Sequence, residues 1–309
     1  MLFSFLLTIF STLCTAVGLI YVFYYIYFNV ILLKLKTKSI ESYKGKVVIV
    51  TGASSGIGSS IAEKYALLGC KVAIVARREN LLEECKSNIL KKHKKLSQKD
   101  ILIVRCDLTK ENDCKEMVDK VIKEWSKLDI VVWNAGVGSL IDFSKVDGRF
   151  DIFRDNMDIN YFSLVYSTSF ALPFLKQSNG SIVVVSSLAG KFGTALRTSY
   201  SASKHAVQGF FNSLRNEVDN VQITIVCPGF VKTDFHSKVA TLDNKVIERE
   251  SNHFMTPQVC ADHILEAERM GKRELIMTPK ARIGSKLTAF FPEFIDYMTN
   301  LTAKSSIKK

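Results

Sequence analysis

Val47-Val48-Ile49-Val50-Thr51-Gly52-Ala53-Ser54-Ser55-Gly56-Ile57-Gly58 is the stretch on which the fold turns. A short apolar run ends in a glycine-rich turn, and Ile57–Leu68 continues with helical periodicity to a stop at Gly69. Glycines between a strand and a helix let the backbone approach a phosphate closely. The helix N-terminus behind them supplies oriented N–H donors and partial positive charge. The G-x-x-x-G-x-G spacing in this context predicts a dinucleotide-binding loop, with Gly52, Ser54, Ser55, Gly56, Ile57 and Gly58 cradling the pyrophosphate.

Outward from this loop, strand-like and helix-like stretches alternate. Lys71–Ala76 reads as a second strand, followed by a polar helix through the 80s and early 90s. Ile101–Arg105, Ile130–Trp133, Ser181–Val185 and Val221–Val226 continue the strands, with Glu274–Met277 as a seventh. Asn112–Trp125, Phe150–Leu175 and Tyr200–Val218 are helical in pattern. Wholly apolar strands joined by helices imply a parallel sheet covered on both faces, and right-handed crossovers make it doubly wound. The expected fold is therefore α/β, a single Rossmann-type domain, within what 309 residues can build. Ligands of such sheets bind at the carboxyl ends of the strands.

The second strand ends in Ala76-Arg77-Arg78. A site preferring NAD usually carries an acid here for the ribose 2′-hydroxyl, whereas arginines pair with a 2′-phosphate. Arg77 and Arg78 therefore point to NADP(H).

Tyr200 and Lys204 lie four apart at the start of a helix and share one face. An ammonium about 6 Å from a phenol, at an effective dielectric of about 20, favours the phenolate by nearly 3 kcal/mol. That would lower the phenol's pKa by about two, as proton exchange near neutral pH requires. Ser186-Ser187 closes the fifth strand, where the Ser187 hydroxyl can hold a substrate oxygen. Asn160 falls inside a long helix although asparagine is a poor helix former, and a buried asparagine ordering a proton-relay water would account for it.

Taken together, Thr51–Gly58, Asn134-Ala135-Gly136, Asn160, Ser187, Tyr200-Ser201-Ala202-Ser203-Lys204 and Pro228-Gly229 resemble the short-chain dehydrogenase/reductase (SDR) family over roughly Gly45 to Asp234. The membrane-bound 11β-hydroxysteroid dehydrogenases are similar in character. The resemblance implies an oxidoreductase with Tyr200 as acid/base, Lys204 lowering its pKa and binding the nicotinamide ribose, Ser187 positioning the carbonyl and Asn160 holding the relay water. It also implies that Asp107 and Leu108 contact adenine, that Asn134, Ala135 and Gly136 line the cleft, and that Pro228, Gly229, Val231 and Thr233 meet the nicotinamide. Relatives commonly pair through the helices carrying Asn160 and Tyr200, so a homodimer is implied as well. One departure is visible: Trp133 stands where the family often has a second asparagine before Asn134.

Leu2–Leu33 contains no charged residue or histidine. As a helix it would be roughly 48 Å long, against a hydrocarbon core of about 30 Å. Tyr21, Tyr24, Tyr25 and Tyr27 would sit at one interface. A run this long, with no charged region before it and no clean cleavage site after it, reads as a single-pass anchor rather than a cleaved signal peptide. The reading divides the chain into an anchor (1–33), a link (34–46), a catalytic domain (47–280) with a lid around 235–255, and an aromatic and basic tail (281–309). The expected location is the endoplasmic reticulum membrane. Lys34, Lys36, Lys38, Lys44 and Lys46 follow the anchor and put the domain on the cytosolic side. The sequons at Asn179 and Asn300 would matter only for a lumenal domain.

Net charge is +12, but the lysines are dispersed, and the cluster from Lys86 to Lys99 lacks interleaved aromatics, so no nucleic-acid partner is expected. Seven scattered cysteines without C-x-x-C spacing suggest core residues rather than a metal site or disulfide framework. An anchor combined with apolar residues in the lid and tail points to a lipophilic substrate, a steroid, retinoid or long-chain carbonyl. The contrasting readings are a catalytically silent nucleotide-binding regulator and a membrane scaffold.

Overall fold

The structure, a computed structural model, describes residues 2–243 and 254–307. Helix α1 (Leu2–Ile26) passes through a π-helical turn, Tyr27–Ile31, into α2 (Leu32–Lys36). The body then alternates β1 (Val47–Thr51), α3 (Gly56–Leu67), β2 (Lys71–Ala76), α4 (Glu79–Lys92), β3 (Ile101–Arg105), α5 (Glu111–Trp125) and β4 (Ile130–Trp133). It continues with α6 (Asp151–Met157), α7 (Ser163–Ser178), β5 (Ser181–Val185), α8 (Thr198–Glu217), β6 (Gln222–Cys227), α9 (Pro257–Arg269) and β7 (Glu274–Ile276), and ends in α10 (Pro279–Leu287) and α11 (Pro292–Ile307).

All seven strands form one parallel sheet in the order β3-β2-β1-β4-β5-β6-β7. The order reverses between β1 and β4, where a doubly wound sheet opens its ligand crevice. The apolar strand runs are explained by alternation. Val47, Ile49, Val131, Trp133, Ile182 and Val184 pack with α5, α7 and α8 on one face. Val48, Val50, Ile130, Val132, Val183 and Val185 pack with α3, α4 and α9 on the other. Six of the cysteines are buried, and Cys14 is exposed on α1. Trp133 is accommodated within the first of these cores, its indole N–H donating to Thr168 Oγ1 at 3.0 Å.

Among the described residues α1 is the one helix long and apolar enough to cross a membrane, and none of it is buried. The link after it packs against the domain. Lys38 extends beneath the amino ends of the strands, where its Nζ donates to Ser181 Oγ at 2.7 Å and to the carboxylate of Glu268. Tyr43, fully buried, donates its hydroxyl to the same carboxylate. Backbone hydrogen bonds from Lys38 N to Arg269 O and from Gly45 N to Gly69 O fasten the rest. At the other end of the sheet, the segment after β6 folds over the strand tips, pairing Ser139 with Ala240 and Val231 with Met255. Residues 244–253 of the expected lid lie outside the described residues.

Candidate active site

A cleft of about 1130 Å³ runs along the carboxyl ends of the strands. Its wall contains Gly52, Ser54, Ser55, Gly56, Ile57, Arg77, Arg78, Asp107, Leu108, Asn134, Ala135, Gly136, Ser187, Tyr200, Lys204, Pro228, Gly229, Val231 and Thr233. Two of the residues singled out from sequence, Gly58 and Asn160, stand behind the wall and hold it.

The cradle is built by close approach. Gly52 and Gly56 have φ of +65° and +58°, a region that side chains disfavour. A Cβ at Gly58 would lie 2.3 Å from the Gly52 carbonyl oxygen and 2.6 Å from Asn134 Nδ2. Asn134 earns its place as a fastener, its Nδ2 donating to Thr51 O at 3.0 Å and Gly52 O at 3.3 Å. Thr51, which opens the Thr51–Gly58 motif but was given no role of its own from sequence, accepts at its Oγ1 from Asn134 N and Ala135 N at 3.0 and 3.2 Å. Thr233 reaches over from the far side, its Cγ2 3.0 Å from where a Gly56 Cβ would sit. This glycine-lined floor, with arginines at the tip of β2, suits a dinucleotide with phosphates on its adenosine half.

Asn160 occupies a π-helical turn, Asp158–Phe162, between α6 and α7. Such single turns often occur at functional sites. Its side chain is pinned at both ends. Oδ1 accepts from Val137 N at 2.8 Å, and Nδ2 donates to Val137 O and to Ser203 Oγ, both at 2.9 Å. The asparagine thus locks the end of β4 to α8. A Cβ on Gly136 would sit 2.9 Å from Asn160 Oδ1 and 3.4 Å from Lys204 Nζ, so glycine leaves open the space between them.

Tyr200 and Lys204 are both buried, on consecutive turns of α8. Lys204 Nζ lies 5.9 Å from the Tyr200 ring centroid and donates to Val185 O at 3.2 Å. Ser187 stands beside Tyr200 in the cleft and favours its phenolate, and its Oγ accepts from Ala189 N at 3.1 Å. The lowered tyrosine pKa expected from the lysine is not what the cleft gives. Burial raises the pKa of Tyr200 above its ordinary value, opposed first by the Ser187 hydroxyl and then by the charge of Arg197. Burial also pushes Lys204 down to about 8. The attraction of one ammonium–phenolate pair is outweighed by the cost of placing both groups out of water.

Sequence reading also missed Arg197, Leu140 and Phe192 on the wall. Arg197 was legible as the residue one turn before Tyr200. Phe235, expected in the lid, packs on Tyr200 with ring centroids 6.0 Å apart. The apolar side of the cleft is closed by Ile283, Leu287, Phe294, Ile295 and Met298 of α10 and α11.

This chain belongs to the short-chain dehydrogenase/reductase family, and is an oxidoreductase of that class. The short chain dehydrogenase family model matches residues 46–243. Among curated relatives, a dehydrogenase/reductase SDR family protein 7-like of Dictyostelium discoideum is 60% identical over 286 residues, covering 93% of this chain and 90% of its own. That agrees with the likeness to SDR family member 7 legible in the N-terminal apolar segment, in Ala76-Arg77-Arg78 and in the run from Ser203-Lys204-His205-Ala206 to Gly209-Phe210-Phe211. An 11-beta-hydroxysteroid dehydrogenase A of Sesamum indicum is 34% identical over 272 residues, covering 84% of this chain and 76% of its own. A short chain dehydrogenase/reductase of Burkholderia phymatum, solved in complex with NAD, superposes with a TM-score of 0.69 at 21% identity, over 82% of this chain and 95% of its own.

The cradle yields a direct expectation. Gly58→Ala should weaken nicotinamide-dinucleotide binding about 10- to 100-fold, because the new methyl must displace backbone rather than a side-chain end. Titration of NADPH fluorescence checks it, and an unchanged affinity would mean the loop yields freely.

Proposed function

We propose that this chain is a membrane-anchored, NADP(H)-dependent oxidoreductase that interconverts a lipophilic carbonyl and its alcohol, with Tyr200 as the acid/base. The observation that carries the reading is the joining of Tyr200, Ser187 and Lys204 in one cleft with Arg77 and Arg78, at a β2 tip that bears no acid. The cofactor, when bound, supplies or accepts the hydride. Ser187 holds the substrate oxygen and sets its distance from the Tyr200 hydroxyl. In reduction Tyr200 gives its proton to that oxygen, and in oxidation it takes the proton back. Lys204, at the back of the cleft, favours the phenolate and offers N–H donors toward the nicotinamide ribose. The opening beside Gly136, between Lys204 and Asn160, is suited to a water that resupplies the proton.

The lipophilic substrate class is supported by the apolar wall from α10 and α11. The names of relatives that are hydroxysteroid dehydrogenases point the same way. The α1 span would hold the chain at a bilayer, where lipophilic molecules concentrate.

The test is turnover of NADPH and of NADH by the detergent-solubilised full chain with a steroid ketone, retinal and isatin as carbonyls. Faster turnover with NADPH is expected, and Arg77→Glu should reverse the preference. Tyr200→Phe should lose at least about 100-fold in turnover while retaining NADPH affinity. Equal turnover by Tyr200→Phe would rule out the acid/base assignment, and a preference for NADH would rule out the arginine argument.

A further inference from the structure

Tyr200, near the start of α8, lies between two cations, not beside one. Lys204 follows it by four residues, and Arg197, the residue just ahead of the helix, precedes it by three. Positions three and four apart on a helix are neighbours. The guanidinium carbon of Arg197 is 5.6 Å from the Tyr200 ring centroid, as close as the Lys204 ammonium at 5.9 Å. Arg197 also lines the cleft.

The backbone is strained to put it there. Leu196 has φ of +63°, a left-handed conformation unfavourable for a bulky side chain, held by a hydrogen bond from Ile141 N to Leu196 O at 2.8 Å. Arg197 N closes the turn onto Thr194 O at 3.1 Å. This strained corner fixes where α8 begins and which way the side chain just ahead of it is presented.

We propose that Arg197 is a positioning residue for Tyr200, supplying the standing positive charge that favours the phenolate. The two cations differ in kind. A guanidinium stays charged across the whole working range, whereas burial leaves the Lys204 ammonium with a pKa of about 8. The other groups facing Tyr200 do not take this role. From the end of β5 comes the neutral Ser187 hydroxyl, and from the end of β6 the buried Cys227 thiol, which would oppose the phenolate only once ionised. From the segment after β6 comes the Phe235 ring, with the Asp234–Lys238 ion pair behind it balancing its own charge at 3.1 Å.

The sign is definite. Removing the charge raises the Tyr200 pKa, so alcohol oxidation, which needs the phenolate, loses rate at neutral pH and regains it as pH rises. The inference rests on Tyr200 being the acid/base, so its test reads ionisation and not turnover. A fluorinated tyrosine, whose phenol is more acidic, is installed at position 200 of the full chain and titrated by fluorine NMR with NADP+ bound. Arg197→Gln, or Arg197→Met should Gln fail to fold, is expected to raise the midpoint by about one pH unit. Arg197→Lys should restore most of it, which a merely structural role would not do. An unmoved midpoint, or one that lysine does not restore, overturns the proposal. Turnover of isatin by Tyr200→Phe decides the acid/base reading separately.

Discussion

Lys204→Met is expected to make the cofactor-free protein more stable while silencing it. Lys204 is buried among β5, α8 and the floor of the cleft, and its ammonium has one described hydrogen bond, to Val185 O. Burial depresses its pKa from 10.5 to about 8, which corresponds to a cost on the order of 3 kcal/mol for keeping the charge in the folded state. Below pH 8 the folded protein bears that full cost. Between pH 8 and 10.5 the unfolded chain binds more protons than the folded one, so the lysine's penalty fades as pH rises. Methionine has nearly the same shape and no charge. In chemical denaturation at pH 7 the variant should therefore exceed the wild type by about 2–3 kcal/mol, somewhat less than the full cost because Val185 O loses its partner. The gap should close towards pH 10.5. Buried cysteines such as Cys70 and Cys260, whose thiols are pushed up to about 12 without any part played by Lys204, weaken both proteins alike at high pH, so the difference between the curves is the quantity to read. Turnover should fall at least about 100-fold at every pH. A variant less stable than wild type at pH 7 would mean that the lysine is a structural asset, not a strain carried for function.

That trade-off marks the boundary of what the sequence made legible. The periodicity of Val47–Val50 and its sister strands, with the glycine spacing after β1, is local information, and it delivered both the sheet and the cradle. Tyr200 and Lys204 were legible because helical spacing is also local. The state of their protons was not, because it depends on burial contributed by β5, β6 and the loop carrying Phe235, all distant in sequence. Asn160 was noticed as a misfit in a helix, but the π turn and its grip on Val137 need coordinates. Arg197 was overlooked because an arginine before a helix has many ordinary uses, and only the conformation of Leu196 aims it at the tyrosine. The stretch 34–46 reads as a polar link. Its residues look solvated until Glu268, more than two hundred positions away, is found beneath them.

Lys38→Met should therefore be among the most damaging single changes outside the cleft. Glu268 is fully buried, and its carboxylate is held by the Lys38 ammonium and the Tyr43 hydroxyl. Removing the lysine leaves a buried charge facing one neutral donor, a loss of about 3 kcal/mol or more. Glu268→Gln removes the other half of the pair but should cost less, about 1–2 kcal/mol. The amide can still accept from Tyr43, and Lys38, whose side chain keeps 22% of its surface in water, can turn outward. The double change Lys38→Met with Glu268→Leu should recover most of the loss, since an apolar pair in place of a buried ion pair is often neutral. Denaturation of the three detergent-solubilised variants checks the order, and limited proteolysis at Lys44 and Lys46 shows whether the link has come away. If Lys38→Met were the mildest of the three, the ion pair would be no more than a surface contact. The link would then be a free tether and not a mount that fixes where the anchor meets the sheet, at the amino ends of its strands and opposite the cleft.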